Sequence, residues 1–420
     1  MIVRVTFVLP SDASTGGVRV VYEYADRLVG RGHDATVVVP TVPPYPLRLL
    51  REQGPLTVAR KALDASGGGI EWRTDADVLR LPALRRPFTD RIPDGDAVVA
   101  PSWRSAPAVC RLPDSAGTPF HLVQHYEAWK LWNDERCWGR AERIAAERDV
   151  PVPAAMPAVD PGARLRGYKR RVDAALSLPT RKLVVTAWLG TALDRVFGRA
   201  AARIPNGVDH GTFYPDPTVR PDADGNPLRV LAPYRTAAWK GAADALAAFR
   251  RVRRERDDVR FEMFGPSEGE SALPGWVEFH GRVPDARLRR LYSDADVFVF
   301  PSWVEGFGLP PLEAMACGTA VVSTDVGAVR ESADEGVVTV PPRDPAALGA
   351  ALGDLLADPG RRESLGAAGR EIADSFRWRD SVSALETVLA DDGSGDPATD
   401  DGASGADRSG LGAGEPGDTP

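Results

Sequence analysis

The stretch Ile2–Val39, "IVRVTFVLPSDASTGGVRVVYEYADRLVGRGHDATVVV", decides the fold. Its opening "IVRVTFVLP" is a nearly continuous apolar run of strand length. "TGG" reads as a turn, after which Val18, Val21, Tyr22, Ala25, Leu28 and Val29 recur at helical spacing. The two glycines of "GRGHD" end that helix and "ATVVV" begins the next strand. Strand, loop, helix, strand is the opening of a doubly wound parallel sheet.

The same rhythm continues along the chain. "AVVAP" (97–101), "FHLVQ" (120–124) and "KLVVTA" (182–187) are further strand candidates. A second series follows "IPNGVD": "RVLAPY", "VRFEMFG", "DVFVFPS", "TAVVSTD" and "GVVTVP". Between these strands lie amphipathic helices, such as the one carrying Ala242, Ala245, Leu246, Phe249 and Val252 on one face. With 420 residues the chain exceeds the size at which one core usually stops growing. Two series with a break near 205–227 therefore predict an α/β protein of two Rossmann-like domains facing a cleft, over 1–205 and 206–375. A helix over 376–390 follows, with Trp378, Val382, Leu385 and Leu389 on one side. The segment 128–180 is rich in Trp, Arg and Pro, and "VPVPAAMPAVDPG" reads as loop. It is expected to be irregular, a mobile loop or an acceptor surface. Residues 391–420 have no aromatics and read as a disordered acidic tail.

Charge and cysteine usage narrow the function classes. The tail holds eight acidic residues against one arginine, and without it the chain carries 51 acidic and 51 basic side chains. A neutral body argues against a nucleic-acid partner, which would demand a basic excess. The three cysteines, Cys110, Cys137 and Cys317, form no CxxC pair, which suits a reducing compartment and argues against disulfides or a zinc site. The start lacks the pattern of a signal peptide and the chain has no run of 18 apolar residues, so a cytoplasmic protein is expected.

Chemistry concentrates in "PSWVEGFGLPPLEAMACG", residues 301–318. "DVFVFPS" is a strand, "WVEGFG" a loop, and "PPLEAMAC" a helix of about two turns that Pro opens and Gly318 closes. Gly306 and Gly308 let the loop backbone approach a ligand, and the free N–H groups at the helix start suit an anion. The carboxylates of Glu305 and Glu313 would repel a phosphate. They suit vicinal hydroxyls instead, because an ionised carboxylate only accepts hydrogen bonds and a diol can donate two. One glutamate for each of two sugars, with a diphosphate between them, describes a nucleotide sugar. The plainer alternative is a helix-dipole role for Glu313 and a surface position for Glu305.

Here the sequence resembles a known family. Glu305-x7-Glu313 in "PSWVEGFGLPPLEAMACGTAVVSTDVGAVRE" is similar to the E-x7-E signature of the family-4 retaining glycosyltransferases, which have the two-domain GT-B fold. "STGGVRVVYEYADRLVGRGHDATVVV", "IPNGVDHGTFYP", "YRTAAWKG" and "VEFHGRVPDARLRRLYSDADVFVFPS" resemble its other motifs in order, and "FRW" with the helix after it resembles the helix that crosses back to the first domain. "QHYEAW" and "YRTAAWKG" look like the rhamnosyltransferase-type branch.

The resemblance implies roles for particular residues. Arg235 and Lys240 match the pair that stabilises the leaving diphosphate, the arginine as a fork and the lysine as a point charge. Lysine is scarce here, five against 47 arginines, so its presence at 240 carries weight. Glu313 matches the ribose-binding position and Glu305 the donor-sugar position. The loop around Gly306, Phe307, Gly308 and Leu309 would lie by the diphosphate and sugar, Gly16 and Gly17 would approach it from the other domain, and Arg282 and Val283 would lie beside the base. His125 matches an active-site histidine, with Glu127 as an acceptor-side alternative; a lone histidine can equally be structural, and His121 is close by.

The implied activity is transfer of a hexose from a nucleotide sugar to a saccharide or lipid-linked acceptor. No cofactor or metal is expected: the DxD triplets at Asp75, Asp222 and Asp294 are at chance frequency, and Arg235 and Lys240 can do a metal's work. Two other classes are open, a nucleotide-sugar epimerase of the same fold and an inactive binding scaffold. The segment Trp129–Arg148 could touch a membrane peripherally or be an ordinary amphipathic element.

Overall fold

The computed structural model describes residues 2–11, 15–41, 74–219, 227–266, 273–332 and 335–391. Two parallel sheets organise them. The first contains β1 (Arg4–Val8), β2 (Asp34–Pro40), β3 (Asp77–Leu81), β4 (Ala97–Ala100), β5 (Thr118–Val123), β6 (Arg181–Val184) and β7 (Ala201–Arg203), in the order β3-β2-β1-β4-β5-β6-β7. The second contains β8 (Leu228–Pro233), β9 (Val259–Phe264), β10 (Val277–Phe279), β11 (Val297–Phe300), β12 (Ala320–Thr324) and β13 (Val338–Val340), in the order β10-β9-β8-β11-β12-β13. Strand order reverses between β1 and β4 in one sheet and between β8 and β11 in the other. Each reversal opens a crevice at the carboxyl ends of the strands, where ligands of such sheets bind.

Burial on both faces explains why the central strands read as continuous apolar runs. In the second sheet Val230, Ala232, Val299 and Val322 pack on helices Ala242–Glu255 and Pro345–Ala357. Leu231, Phe298 and Val321 point the other way and join a core continuous with the first domain. The strands that did not stand out in the sequence, β3, β7 and β10, lie at sheet edges among the described residues.

Two expectations need correction. "TGG" is not a turn: Thr15 is an N-cap whose Oγ accepts from Val18 N at 3.4 Å, and Gly16 and Gly17 are the first residues of helix Gly16–Gly30. The segment 128–180 is not irregular either. It folds into helices Trp129–Trp132, Glu135–Arg148, Val152–Ala155 and Ala163–Leu176, with Trp132 and Trp138 buried. Pro153 sits in the first turn of its helix, where a missing N–H costs nothing, so a proline that looks like a breaker acts as a starter.

The domains are tied by two chain crossings that pair with each other. Val208 N donates to Phe376 O at 2.9 Å, and a Cβ on Gly207 would lie 2.2 Å from Trp378 N. Only glycine fits that crossing. Helix Trp378–Ala390 then lies on the first domain, where His33 Nε2 is 2.9 Å from Glu386 Oε1 while His33 Nδ1 accepts from Val3 N at 3.1 Å. The "RGH" motif thus anchors the returning helix. Residues 392–420, the expected tail, lie outside the described residues.

Candidate active site

The crevice of the second sheet is built by the loops after β8 and β11. The first carries Arg235 and Lys240, and the second carries Glu305, Gly306, Phe307 and Gly308 before helix Leu309–Ala316. Lys240 Nζ lies 2.7 and 2.9 Å from the two Glu305 oxygens. It also lies 4.3 Å from the centre of the Trp239 ring. A pocket of about 240 Å3 opens here, lined by Arg235, Thr236, Ala237, Trp239, Lys240 and Pro266. Gly308 is the N-cap of the helix at φ +85°, and Leu309 is its first residue. Phe307 is buried against Phe376, and its carbonyl accepts from Ala328 N at 2.7 Å. Arg282 and Val283 follow β10 at the same edge of the sheet, two strands beyond β8.

Glu313, one turn further along the helix, is 6% exposed. Its Oε2 accepts from Tyr292 Oη at 3.4 Å. Burial pushes its carboxyl up to about 7, against the opposing pull of the Arg19 guanidinium. Glu305 and Glu313 are thus both enclosed, and Glu305 does not hold the surface position of the plainer alternative.

The first domain supplies the facing wall. A Cβ on Gly306 would lie 1.7 Å from Gln124 O, just past the end of β5. Gln124 Nε2 donates to Gly17 O at 3.0 Å, so Gly17 belongs to this wall, whereas Gly16 faces open space. Thr186 Oγ1 donates to Gly306 O at 2.9 Å and Trp188 Nε1 to Glu305 O at 3.1 Å. The indoles of Trp129 and Trp239 stack across the cleft, with ring centres 5.2 Å apart and 10° between planes. Behind them Arg343 lies over both Trp138 and Trp303 and pairs with Glu135 and Glu142. Trp132 and Trp138 are therefore buried, and Trp129 is half-buried against Trp239 of the second domain.

His125 sits inside this aromatic cage, within 6 Å of the ring centres of Trp129, Trp132, Trp188 and Trp239. Its Nδ1 lies 3.0 Å from Tyr126 O, a carbonyl that can only accept, which fixes the proton on Nδ1 and leaves Nε2 as an acceptor without a partner among the described residues. Burial holds the imidazole down to about 4, outweighing the pull of Glu305. Ring 15N spectra are accordingly expected to show the neutral Nδ1–H tautomer with no titration between about pH 5.5 and 8. A ring that charges in that range would contradict the closed cage. His121, by contrast, is inside β5 beside Lys182, away from the cleft. Glu127 accepts from Ser102 Oγ at 2.7 Å, and burial pushes it up to about 7.

Of the DxD triplets, Asp294 and Asp296 are occupied by Arg229, through its guanidinium and its backbone N–H. Asp222 and Asp224 lie outside the described residues. Asp75 and Asp77 are at the first sheet's edge strand, and Asp26 accepts from Asp75 N at 2.9 Å. Among the described residues no group of three or more His, Cys, Asp or Glu is gathered as metal ligands, and no helix is long and apolar enough to cross a membrane.

The cross-cleft contacts of Arg19, Gln124, Thr186 and Trp188 were not legible beforehand. Each is an unremarkable residue whose importance depends on how close the other domain comes. Trp239 carried a signal, a large apolar ring between the two cations of "RTAAWK".

The chain is similar to known proteins in sequence and in fold. Residues 229–358 match the family described as glycosyl transferases group 1. The chain is 38% identical over 122 residues to the O-antigen chain mannosyltransferase B of Escherichia coli, covering 29% of this chain and 31% of that one. It is 32% identical over 296 residues to the D-inositol 3-phosphate glycosyltransferase of Xylanimonas cellulosilytica, covering 60% of this chain and 69% of that one. The sucrose-phosphate synthase of Thermosynechococcus elongatus has the same GT-B fold, with TM-score 0.63 and 21% identity over 92% of this chain and 98% of that one. With its second domain matched to the family and a relative aligned over more than two thirds of its length, the chain belongs to the group 1 glycosyl transferases.

Proposed function

We propose that the protein transfers a sugar from a nucleoside-diphosphate sugar to an acceptor hydroxyl, retaining the anomeric configuration and needing no metal. The observation that carries this reading is the Lys240–Glu305 pair at the crevice of the second sheet, with Arg235 on the same loop and Glu313 buried one helix turn beyond. A cation held at a fixed point by a neighbouring carboxylate is preorganised for charge that develops on a leaving phosphate. Glu305 then faces the donor sugar, Glu313 the ribose, and the amides from Phe307 to Leu309 the diphosphate. Arg282 and Val283 border the base. Gly17 and His125 close the site from the first domain.

In the reaction the bond from the anomeric carbon to the phosphate oxygen breaks, and the acceptor oxygen bonds to that carbon from the same face. The acceptor proton passes to the departing phosphate oxygen, so no carboxylate nucleophile is required. Retention rests on the Glu305-x7-Glu313 likeness to family 4, and the rhamnosyltransferase-like branch rests on "QHYEAW" alone beside the Arg235 loop. Relatives named for D-inositol 3-phosphate and for an O-antigen chain favour a hydroxyl-rich saccharide or lipid-linked acceptor. Three unpaired cysteines fit a cytoplasmic site of glycan synthesis.

The test is the melting temperature with UDP, GDP, ADP and dTDP sugars in EDTA, for wild type and Glu313→Ala, since a ligand specific to the folded state raises it. One nucleotide sugar is expected to stabilise wild type by several degrees and the variant hardly at all. No shift with any donor at saturating concentration would overturn the reading in favour of a scaffold. Product formed without acceptor would favour an epimerase.

A further inference from the structure

Arg19 belongs to the first domain, yet its charge is spent on the second. It projects from helix Gly16–Gly30, and its Nη1 is 3.7 Å from Glu313 Oε1. Its Nη2 is 3.1 Å from Asp285 Oδ2, at the start of helix Asp285–Asp294. Its Nε also meets Glu23 Oε1 at 3.4 Å, and the guanidinium lies 5.7 Å from the centre of the Phe213 ring. Only 17% of the side chain is exposed. One mostly enclosed cation is thus shared between two carboxylates of the opposite domain, and the contact exists only while the domains are together.

We propose that Arg19 is a positioning residue that couples domain closure to the grip on the donor's ribose, by delivering a cation from one domain to the carboxylate of the other. This rests on the reading of Glu313 as the ribose ligand. To grip a ribose diol Glu313 must be ionised, since a protonated carboxyl has lost part of its accepting capacity. Its surroundings oppose ionisation: it is buried, Tyr292 gives it one long hydrogen bond, and Asp285 and Glu23 are like charges nearby. Arg19 is the opposite charge among the groups facing it. When the domains part, the carboxylate loses this partner. When they close, the guanidinium offsets part of the cost of enclosing its charge, so the ionised form that accepts both hydroxyls is favoured by the arginine in the closed state.

The experiment measures binding of UDP, GDP, ADP and dTDP, and of the 2′-deoxy analogues of the three ribonucleotides, by calorimetry at pH 6 and pH 9 for wild type, Arg19→Gln and Arg19→Lys. Arg19→Gln is expected to weaken the ribonucleotide about tenfold at pH 6 and by less than about twofold at pH 9, where the carboxyl ionises unaided. Its preference for ribo- over deoxynucleotide is expected to shrink at pH 6 alone, and Arg19→Lys to restore most of the loss. Near-wild-type affinity at pH 9 also shows that the variant is folded. An equal loss at both pH values would overturn the proposal in favour of a merely structural arginine, as would unchanged affinity at both or wild-type binding confined to dTDP. If wild type binds no nucleotide at all, the functional reading itself fails, which is a separate outcome.

Discussion

Lys240→Ala is expected to lower sugar transfer by about 100-fold, the usual effect of removing one preorganised group from a site of developing negative charge. The nucleotide sugar that stabilises wild type is the donor to use. Two effects are folded into such a loss. One is the missing cation at the leaving phosphate. The other is Glu305, 8% exposed, left without the ammonium that now lies 2.7 Å away. An uncompensated carboxylate in so enclosed a place destabilises by roughly 2–3 kcal/mol. The double variant Lys240→Ala with Glu305→Gln separates them: it is expected to regain the melting temperature while transfer stays depressed. Transfer within threefold of wild type in the single variant would remove Lys240 from the reaction. If the double variant recovered activity along with stability, the lysine would matter only as a partner for Glu305.

Gly306→Ala is the second large effect, and it acts on closure. The added Cβ would meet Gln124 O at 1.7 Å, a contact between the backbones of two domains in which neither side has a flexible end to give way. The loop must therefore withdraw, which breaks the bonds from Thr186 to Gly306 O and from Trp188 to Glu305 O and pulls Trp239 off Trp129. The packing of sheet on helices within each domain is untouched, so the expected result is a folded protein with a larger radius of gyration by small-angle scattering. Transfer is expected to fall on the order of 100-fold, because reacting groups held an ångström out of place lose that much. A variant with wild-type transfer and unchanged dimensions would mean that the observed domain contact is not the reacting arrangement.

These two residues mark where sequence reasoning reached and where it stopped. Gly306 is legible as a loop glycine beside a helix start, because a positive charge end and a missing Cβ are local properties. That Gln124 presses on it is not legible, since the two lie in different domains. Lys240 stands out by the scarcity of lysine, but its pairing with Glu305 depends on β8 and β11 being neighbours, which sequence spacing does not state. The segment 128–180 fails for a related reason. Its tryptophans read as loop, as a membrane contact or as an ordinary amphipathic element, and only Trp239 and Trp303 of the second domain show what they pack against.

By itself the sequence determined what short-range physics controls. Apolar runs of strand length separated by amphipathic helices specify parallel sheets, and a break between two such series specifies two domains. A glycine loop opening onto a Pro-started helix is likewise a local pattern, read from residues 305–313 alone. Tertiary structure decided the rest: which histidine is in the cleft, that Glu313 is buried enough to resist ionisation, and that Arg19 crosses from one domain to relieve it. Burial and the approach of a distant charge depend on which surfaces meet, and no local pattern of residues encodes that.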